Sequence, residues 1–302
     1  MKNIMKKLPT AGIVLSCLLL AGALNAAQYD RPGLLVLSHG SAAAGVNDKV
    51  EAMVEQIRKE NNNKKAFYAV ENAFLEVGTP TAKTGVEKLQ AAGCDAIIVV
   101  PFFTSQDEHT QRDIPVVMGL SSDAEALAEL KEEGIELAAP KVPVVISKTL
   151  NETNLLEDFV KSELRVLSQN GRDEALVVIS LEKNEYNAIV VPQIEKAVRK
   201  AAKSGGIKKY RDVYSWQDET FWQNVMPAVK EFSKEAKRVI AVSIYTTRSA
   251  QSLYENASKA ALAKSIDIKE GFGKAGIVWS VNSLTDYRGT PKAVLELAEK
   301  SL

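Results

Sequence analysis

The sequence predicts an α/β protein made of two similar open domains, each with a parallel sheet. The first observation is that short apolar runs alternate with amphipathic stretches of helical spacing, which is typical of βαβ units. The second is that the same order of segments occurs twice along the chain. The third is the length of 302 residues, which is enough for about two domains of ordinary size.

Four short runs in the first half are predicted as strands, and the apolar first and third are predicted to be buried. They cover residues 33–38, 67–70, 96–103 and 141–146. The first run ends at His39, Gly40 and Ser41, where the glycine indicates a turn. The segment 61–65, rich in asparagine and lysine, is predicted as a loop before the second strand.

The helices between these strands are predicted from apolar spacing and from the residues that begin and end them. They cover residues 46–60, 81–92 and 121–133. The apolar stripe of the first helix consists of Val46, Val50, Met53, Val54 and Ile57. The second helix begins after Pro80, and the second and third are followed by Gly93 and Gly134, the usual stop position.

The second half repeats this order of strands and helices. Its predicted strands cover residues 175–180, 212–215, 238–244 and 276–281, and its helices cover 192–203, 219–236, 249–263 and 291–301. A helical linker at 151–171 joins the halves, so the predicted domains are 28–155 and 156–302.

Residues 1–27 are predicted to be a secretory signal peptide and not part of the fold. Three lysines precede an apolar run at 11–24, which is followed by the small residues Ala26 and Ala27. An uncleaved anchor and a lipoprotein attached through Cys17 are weaker alternatives. After cleavage the protein is predicted to be soluble, free of the membrane and exported, most simply to the periplasm.

Composition argues against several classes of protein. Basic and acidic side chains both number 38, giving a formal net charge of zero, which disfavours a nucleic-acid-binding protein. Two cysteines, of which Cys94 would remain in the mature chain, cannot form a disulfide framework or a multi-cysteine zinc site. Residues 271–278 match G-x-G-x-x-G-x-V but follow no clear strand, and no P-loop sequence occurs, so no ATP site is predicted.

The two histidines of the chain, His39 and His109, follow the first and third predicted strands. Glu76 follows the second. Because the carboxyl ends of parallel strands meet at one sheet edge, these side chains can converge on a divalent ion. Two imidazoles with one carboxylate suit Co²⁺, Ni²⁺, Zn²⁺ or Fe²⁺ and suit Mg²⁺ poorly. Structural histidines and a carboxylate that stabilises a helix N-terminus are the alternatives.

The repeat places both imidazoles in the first half. His39 aligns with Leu181, and His109 aligns with Gln251. The chemistry is therefore expected in the first half, and the second half is expected to form the other wall of a cleft.

Three motifs of the first half resemble those of the class II chelatases, a family that includes sirohydrochlorin cobaltochelatases and ferrochelatases. The motifs are LVLSHGS at 35–41, AFLE at 73–76 with the Thr-Pro pair at 79–80, and IVVPFF at 98–103 with HTQRDIP at 109–115. Their order and spacing make the match specific over residues 33–150. The second half matches only as a degenerate repeat.

The resemblance implies two flavodoxin-like domains around a tetrapyrrole cleft and ATP-independent insertion of a divalent metal, with Co²⁺ expected and Ni²⁺ or Fe²⁺ possible substrates. The family's metal-binding histidines correspond to His39 and His109, and its acidic site residue corresponds to Glu76. Asp107 and Glu108 stand where the family often has glycines, which makes the entrance more acidic.

Two functions are therefore carried forward from the sequence. The first is a metallochelatase acting on a tetrapyrrole such as sirohydrochlorin, whose carboxylates could meet Arg112, Lys148 or Arg248. Phe102 and Phe103 could pack on the macrocycle, although strand-end aromatic residues more often belong to the core. The second is an exported haem- or metal-binding protein without catalysis, in which the same histidines would be permanent ligands.

Overall fold

The protein is seen in a computed structural model that describes residues 29–181, 186, 188, 191–215, 218–263 and 273–302. The signal peptide predicted at 1–27 lies outside the described residues, as does the start of the glycine motif at 271–272. Two four-stranded parallel sheets form the framework of the described chain.

The first sheet contains β1 (Pro32–Gly40), β2 (Ala69–Val77), β3 (Ala96–Pro101) and β4 (Val144–Ile146). The strand order is β2-β1-β3-β4, and every pair is parallel. The central position of β1 places its carboxyl end between those of β2 and β3.

The second sheet contains β5 (Glu174–Ser180), β6 (Lys209–Tyr214), β7 (Arg238–Ser243) and β8 (Gly276–Trp279). Its order, β6-β5-β7-β8, repeats that of the first sheet strand for strand. The predicted fold class, two similar α/β domains with parallel sheets, is thereby confirmed. The predicted domain limits of 28–155 and 156–302 stay a prediction.

Ten α-helices occur in the part of the chain that the structure describes. They are α1 (Val46–Lys64), α2 (Ala82–Ala91), α3 (Ile114–Val117), α4 (Ala124–Glu132), α5 (Leu155–Leu167), α6 (Val191–Ser204), α7 (Asp218–Thr220), α8 (Met226–Glu235), α9 (Ala250–Ala263) and α10 (Thr290–Glu299). Turns of π-helix at His109–Asp113 and Phe221–Val225 lead into α3 and α8. Within the described ranges, none of these helices combines the length and the apolar character that crossing a bilayer requires.

Helix α1 and strand β2 differ from their predicted bounds because polar side chains occupy structured positions. Helix α1 continues through the predicted loop, where buried Asn61 hydrogen-bonds the backbone N–H and carbonyl of Phe67. Strand β2 begins and ends later than predicted, and it includes Glu71, Asn72 and Glu76. Glu76 therefore lies inside β2, next to its last residue, and not after the strand.

The two halves share one hydrophobic core. Leu34 and Val36 of β1 and Leu176 and Val178 of β5 belong to the same buried cluster, whereas the alternate residues of each strand face separate outer clusters. Burial on both faces explains why these strands are continuously apolar. Helix α5 packs against β7, and the C-terminal helix α10 packs against α1 and β3, so the last helix of the chain covers the first sheet.

A hydrogen bond joins the halves where β3 and β7 end. The Thr104 hydroxyl, which is 2% exposed, donates to the Ile244 carbonyl at 3.0 Å. The two loops are equivalent in the repeat, because the Phe102 N–H donates to Leu37 and the Ile244 N–H donates to Ile179. This contact holds the two strand-end loops against each other.

Thr104→Val should lower the free energy of unfolding by about 1–3 kcal/mol, because it removes the donor while the Ile244 carbonyl stays buried. Urea unfolding followed by circular dichroism measures the change. Thr104→Ser keeps the hydroxyl and is the control, and it should lose less stability than the valine variant. Equal unfolding free energies for Thr104→Val and the wild type would contradict the role given to this bond.

Candidate metal site

The strand order brings the three predicted site residues to one edge of the first sheet. His39 and Glu76 are the next-to-last residues of the neighbouring strands β1 and β2. His109 begins the π-helical turn that follows β3 on the other side of β1. The central imidazole therefore lies between the other two side chains.

A local irregularity of β2 aims Glu76 at this edge. Ser38 pairs with Phe74 and Gly40 pairs with Val77, so two residues of β2, Leu75 and Glu76, face the single residue His39. A bulge of this kind redirects side chains next to functional sites. Here Leu75 is buried in the outer core cluster, and Glu76 is left to face the imidazoles.

Gly40 allows β1 to end close against β2. Its φ is +90°, a left-handed conformation that favours glycine, and a Cβ at this position would lie 1.9 Å from the Val77 carbonyl oxygen. A side chain at residue 40 would push the two strand ends apart. The glycine of the motif is thus needed for the approach of His39 to Glu76.

Glu76 bridges the two imidazoles. Its Oε2 lies 3.0 Å from His39 Nε2, and its Oε1 lies 3.3 Å from His109 Nδ1. The ring centroids are 5.0 Å apart at an interplanar angle of 74°. One ligand atom from each residue lies within 4.8 Å of the others, and no second group of three histidine, cysteine or acidic residues of this kind occurs in the described part of the chain.

Asp113 contacts the same nitrogen of His109, Nδ1, that Glu76 approaches. Its Oδ2 lies 2.8 Å from His109 Nδ1, and the residue is 8% exposed. A carboxylate hydrogen-bonded to the free nitrogen of a metal-binding imidazole fixes its orientation and raises its basicity. Sequence reasoning placed Asp113 in the motif without giving it a part in the site. Its spacing of four residues from His109 on a helical turn was the available signal.

The carboxylates favour protonation of His39 in the metal-free protein. The hydrogen bond to Glu76 raises the pKa of His39 above its ordinary value, and the Gly40 carbonyl acts in the same direction against the cost of burial. The same hydrogen bond lowers the pKa of Glu76. A proton shared by this pair therefore resides on the imidazole.

His109 is influenced by more acidic neighbours. Burial opposes its charge, but the hydrogen bond to Asp113 and the negative charges of Asp107 and Glu76 outweigh this, so the pKa of His109 is raised. Burial raises the pKa of Asp107 against the hydrogen bonds it receives from Thr110. Both imidazoles thus bind protons readily when no metal is present.

A cavity of about 920 Å³ opens beside this cluster and is walled by both halves of the chain. The first half contributes His39, His109 and the loops at 40–46 and 103–108, and the second half contributes Leu181, residues 245–249, Ser252 and Asn256. The volume lies within the range of small-molecule binding pockets. Leu181, the counterpart of His39, faces the same space without a metal-binding group.

Of the three cationic residues predicted to meet substrate carboxylates, one lines the cavity and two do not. Arg112 contacts Glu108, Asp113, Glu125 and Glu129, and Lys148 lies near Glu152; neither lines the cavity. Arg248 does line it.

The two aromatic residues predicted to pack on the macrocycle occupy different environments. Phe102 is buried in the core shared by the two halves. Phe103 lines the cavity, and its ring centroid lies 5.9 Å from that of His109. Phe103 is therefore placed to contact a cavity ligand, whereas Phe102 contributes to the core.

Comparison with known proteins finds sequence similarity in the first half and structural similarity over both halves. The CbiX family model matches residues 33–166. The sirohydrochlorin cobaltochelatase of Saccharolobus solfataricus is 32% identical over 127 residues, which cover 40% of this chain and 94% of that protein. That of Methanopyrus kandleri is 33% identical over 90 residues, or 30% of this chain and 60% of that protein.

Among solved structures, the sirohydrochlorin chelatase SirB from Bacillus subtilis subspecies spizizenii, in complex with cobalt, has a TM-score of 0.57 at 15% identity. The match covers 90% of this chain and 95% of SirB. DR2241 from Deinococcus radiodurans, described as similar to chelatases, has a TM-score of 0.60 at 14% identity over 89% of this chain and 54% of that one. These likenesses concern the fold, and their coverage extends beyond residues 33–166 into the second half.

Binding of Co²⁺ to the cluster should weaken as pH falls through the raised pKa values of His39 and His109, because the metal must displace their protons. Above those pKa values the affinity should be constant. Below them it should fall by about tenfold per pH unit for each proton displaced. Isothermal titration calorimetry across about pH 5–8, the range in which histidines titrate, measures this.

Asp113→Asn provides the matched variant for this measurement. Removing its negative charge should lower the pKa of His109, so the decline in affinity should begin at a lower pH than in the wild type. An affinity that does not change over the whole range would show that the imidazoles do not bind the ion.

Proposed function

The chain belongs to the CbiX family, and from that premise we propose that it catalyses ATP-independent insertion of a divalent metal, Co²⁺ foremost, into a tetrapyrrole such as sirohydrochlorin. The observation that carries the proposal is the convergence of His39, Glu76 and His109 on one point beside the cavity. The metal is a substrate in this reaction and not a resident cofactor.

The ligand set suits a metal that must later leave. Two imidazoles and one carboxylate give fewer protein ligands than a closed structural site, so coordination positions remain for water and then for the macrocycle. Nitrogen and oxygen donors of this kind accept Co²⁺, Ni²⁺ and Fe²⁺ and are poor for Mg²⁺. Asp107 and Glu108 at the cavity wall add negative charge that attracts a cation.

The same residues can take up the protons that the reaction releases. Insertion exchanges one divalent ion for two pyrrole N–H protons, so the macrocycle's net charge is unchanged. As the ion passes to the ring nitrogens, His39 and His109 each recover a lone pair and can accept one proton. Glu76 and Asp113 favour the resulting imidazolium ions, since they raise the pKa of the metal-free imidazoles.

The partly exposed position of His39 permits these protons to leave. Its side chain is 40% exposed, whereas the side chains of Glu76 and His109 are 22% and 27% exposed. Protons passed from His109 to Glu76 and on to His39 would reach solvent along contacts of 3.3 and 3.0 Å. Deprotonation restores both imidazoles for the next metal ion.

The second half would form the far wall and contribute no metal ligand. It supplies the surface formed by Leu181 and residues 245–249. The macrocycle would enter between the halves with its nitrogen core toward His39 and His109. Export to the periplasm, predicted from residues 1–27, stays a prediction.

An exported haem- or metal-binding protein without catalysis is the second candidate. The predicted signal peptide and the acidic pair Asp107 and Glu108 favour it, because the first removes the protein from cytoplasmic biosynthesis and the second favours retention of a cation. The site residues would be the same, so a rate measurement separates the two functions.

Anaerobic absorbance with sirohydrochlorin and Co²⁺ tests the proposal. The wild type should accelerate metal insertion over the spontaneous reaction, and His39→Ala should lower this rate by at least about a hundredfold while the circular dichroism spectrum is kept. His109→Ala should lower the insertion rate to a similar extent and also keep the circular dichroism spectrum. Gln251→Ala, at the equivalent position of the second half, is the matched control and should keep the wild-type rate.

Two results would contradict the proposal. Full activity of His39→Ala would remove the central metal ligand from the mechanism. A wild type that binds Co²⁺ or haem tightly but does not accelerate insertion would establish the binding protein instead.

A further inference from the structure

The charged side chains around the cavity are arranged asymmetrically. The wall of the first half carries Asp107 and Glu108 beside the imidazoles, and Glu108 is partly compensated by Arg112, 3.1 Å away. Apart from the two imidazoles, the basic side chains among the described residues that line the cavity are Lys49 and Arg248. Lys49 extends to Asp286, 3.2 Å away, so its charge is partly compensated at the rim. Arg248 is the cation carried by the opposite wall.

The asymmetry arises at equivalent positions of the internal repeat. The backbone N–H of Leu150 donates to the Phe103 carbonyl, and that of Leu284 donates to the Tyr245 carbonyl, which aligns the two strand-end loops. In this alignment Arg248 corresponds to Gln106. The residues that follow are acidic in the first half and uncharged, Ser249 and Ala250, in the second.

The surroundings of Arg248 are aromatic and polar. Its guanidinium lies 6.0 Å from the ring centroid of Tyr245, and the Tyr245 hydroxyl donates a hydrogen bond to the Ser215 carbonyl. Hydroxyl and amide groups share this wall, namely those of Thr246, Thr247, Ser249, Ser252 and Asn256. A planar guanidinium held on an aromatic face among hydrogen-bonding groups suits recognition of carboxylates.

Building on the function proposed above, we propose that Arg248 and the hydroxyl groups beside it bind peripheral carboxylates of the tetrapyrrole and thereby orient its nitrogen core toward His39 and His109. The charges of the two walls favour this orientation. A ring displaced from Arg248 toward the first half would bring its peripheral carboxylates nearer to Asp107 and Glu108. Arg248 is thus a residue for substrate binding and orientation, and not a metal ligand.

Arg248→Gln tests the assignment, because it introduces the residue type found at the equivalent position of the first half. Binding of sirohydrochlorin to the metal-free protein, followed by absorbance, should weaken by about tenfold, the usual effect of losing one charge-assisted hydrogen bond. Arg248→Lys should recover part of the loss. Arg199→Gln, on an exposed face of α6 away from the cavity, should bind as the wild type does.

Four further readouts separate substrate binding from a structural role. Co²⁺ affinity without sirohydrochlorin and the thermal unfolding temperature should be unchanged in Arg248→Gln. In the insertion assay KM for sirohydrochlorin should rise, and kcat should stay within about twofold. Added salt should weaken sirohydrochlorin binding more in the wild type than in the variant. Salt screens the ion pair between Arg248 and a substrate carboxylate, and the variant cannot form this pair.

Wild-type affinity of Arg248→Gln for sirohydrochlorin would overturn this inference and leave the chelatase function in place. Binding by the wild type that depends on Arg248, without any acceleration of insertion, would overturn the chelatase function and keep the inference. No binding of sirohydrochlorin by the wild type would overturn both.

Discussion

The bridge that Glu76 forms between His39 and His109 is the interaction on which the account of this protein depends. One carboxylate contacts both imidazoles, at 3.0 and 3.3 Å, and so sets their separation. Three features of the backbone make this possible: β1 lies between β2 and β3, a bulge turns Glu76 toward the edge, and Gly40 lets the strand ends approach. The carboxylate contacts raise the pKa values of both imidazoles, and in the proposed reaction these groups exchange protons for a divalent ion.

The duplicated fold explains how one chain can present both the candidate metal site and the proposed substrate-binding wall. The two sheets have the same strand order, and their loops after β3 and β7 meet through the Thr104 hydrogen bond to Ile244. Because the loops are equivalent and face each other, any difference between them becomes a difference across the cavity. The first half carries imidazoles and carboxylates there, and the second carries Arg248 and hydroxyl groups. The shared core and the return of α10 to the first sheet hold these walls together.

The sequence predicted the fold class because buried parallel strands are apolar on both faces and therefore stand out as continuous runs. It predicted β2 poorly, since Glu71, Asn72 and Glu76 interrupt that pattern, yet Glu76 was still placed near the site because it follows the second predicted strand and belongs to the AFLE motif. Asp113 was missed as a partner of His109 because its role depends on the π-helical turn, which apolar spacing does not reveal. Arg112 and Lys148 could not be separated from Arg248, since only the packed chain shows which cation faces the cavity.

Anomalous diffraction from crystals soaked in Co²⁺ tests the central claim most directly. The account predicts one cobalt peak bonded to an imidazole nitrogen of His39 and of His109 at about 2.1 Å, the usual length of a metal–imidazole bond. The Glu76 carboxylate should lie next to the ion. A cobalt peak elsewhere on the protein, with both imidazoles still hydrogen-bonded to Glu76, would contradict the account.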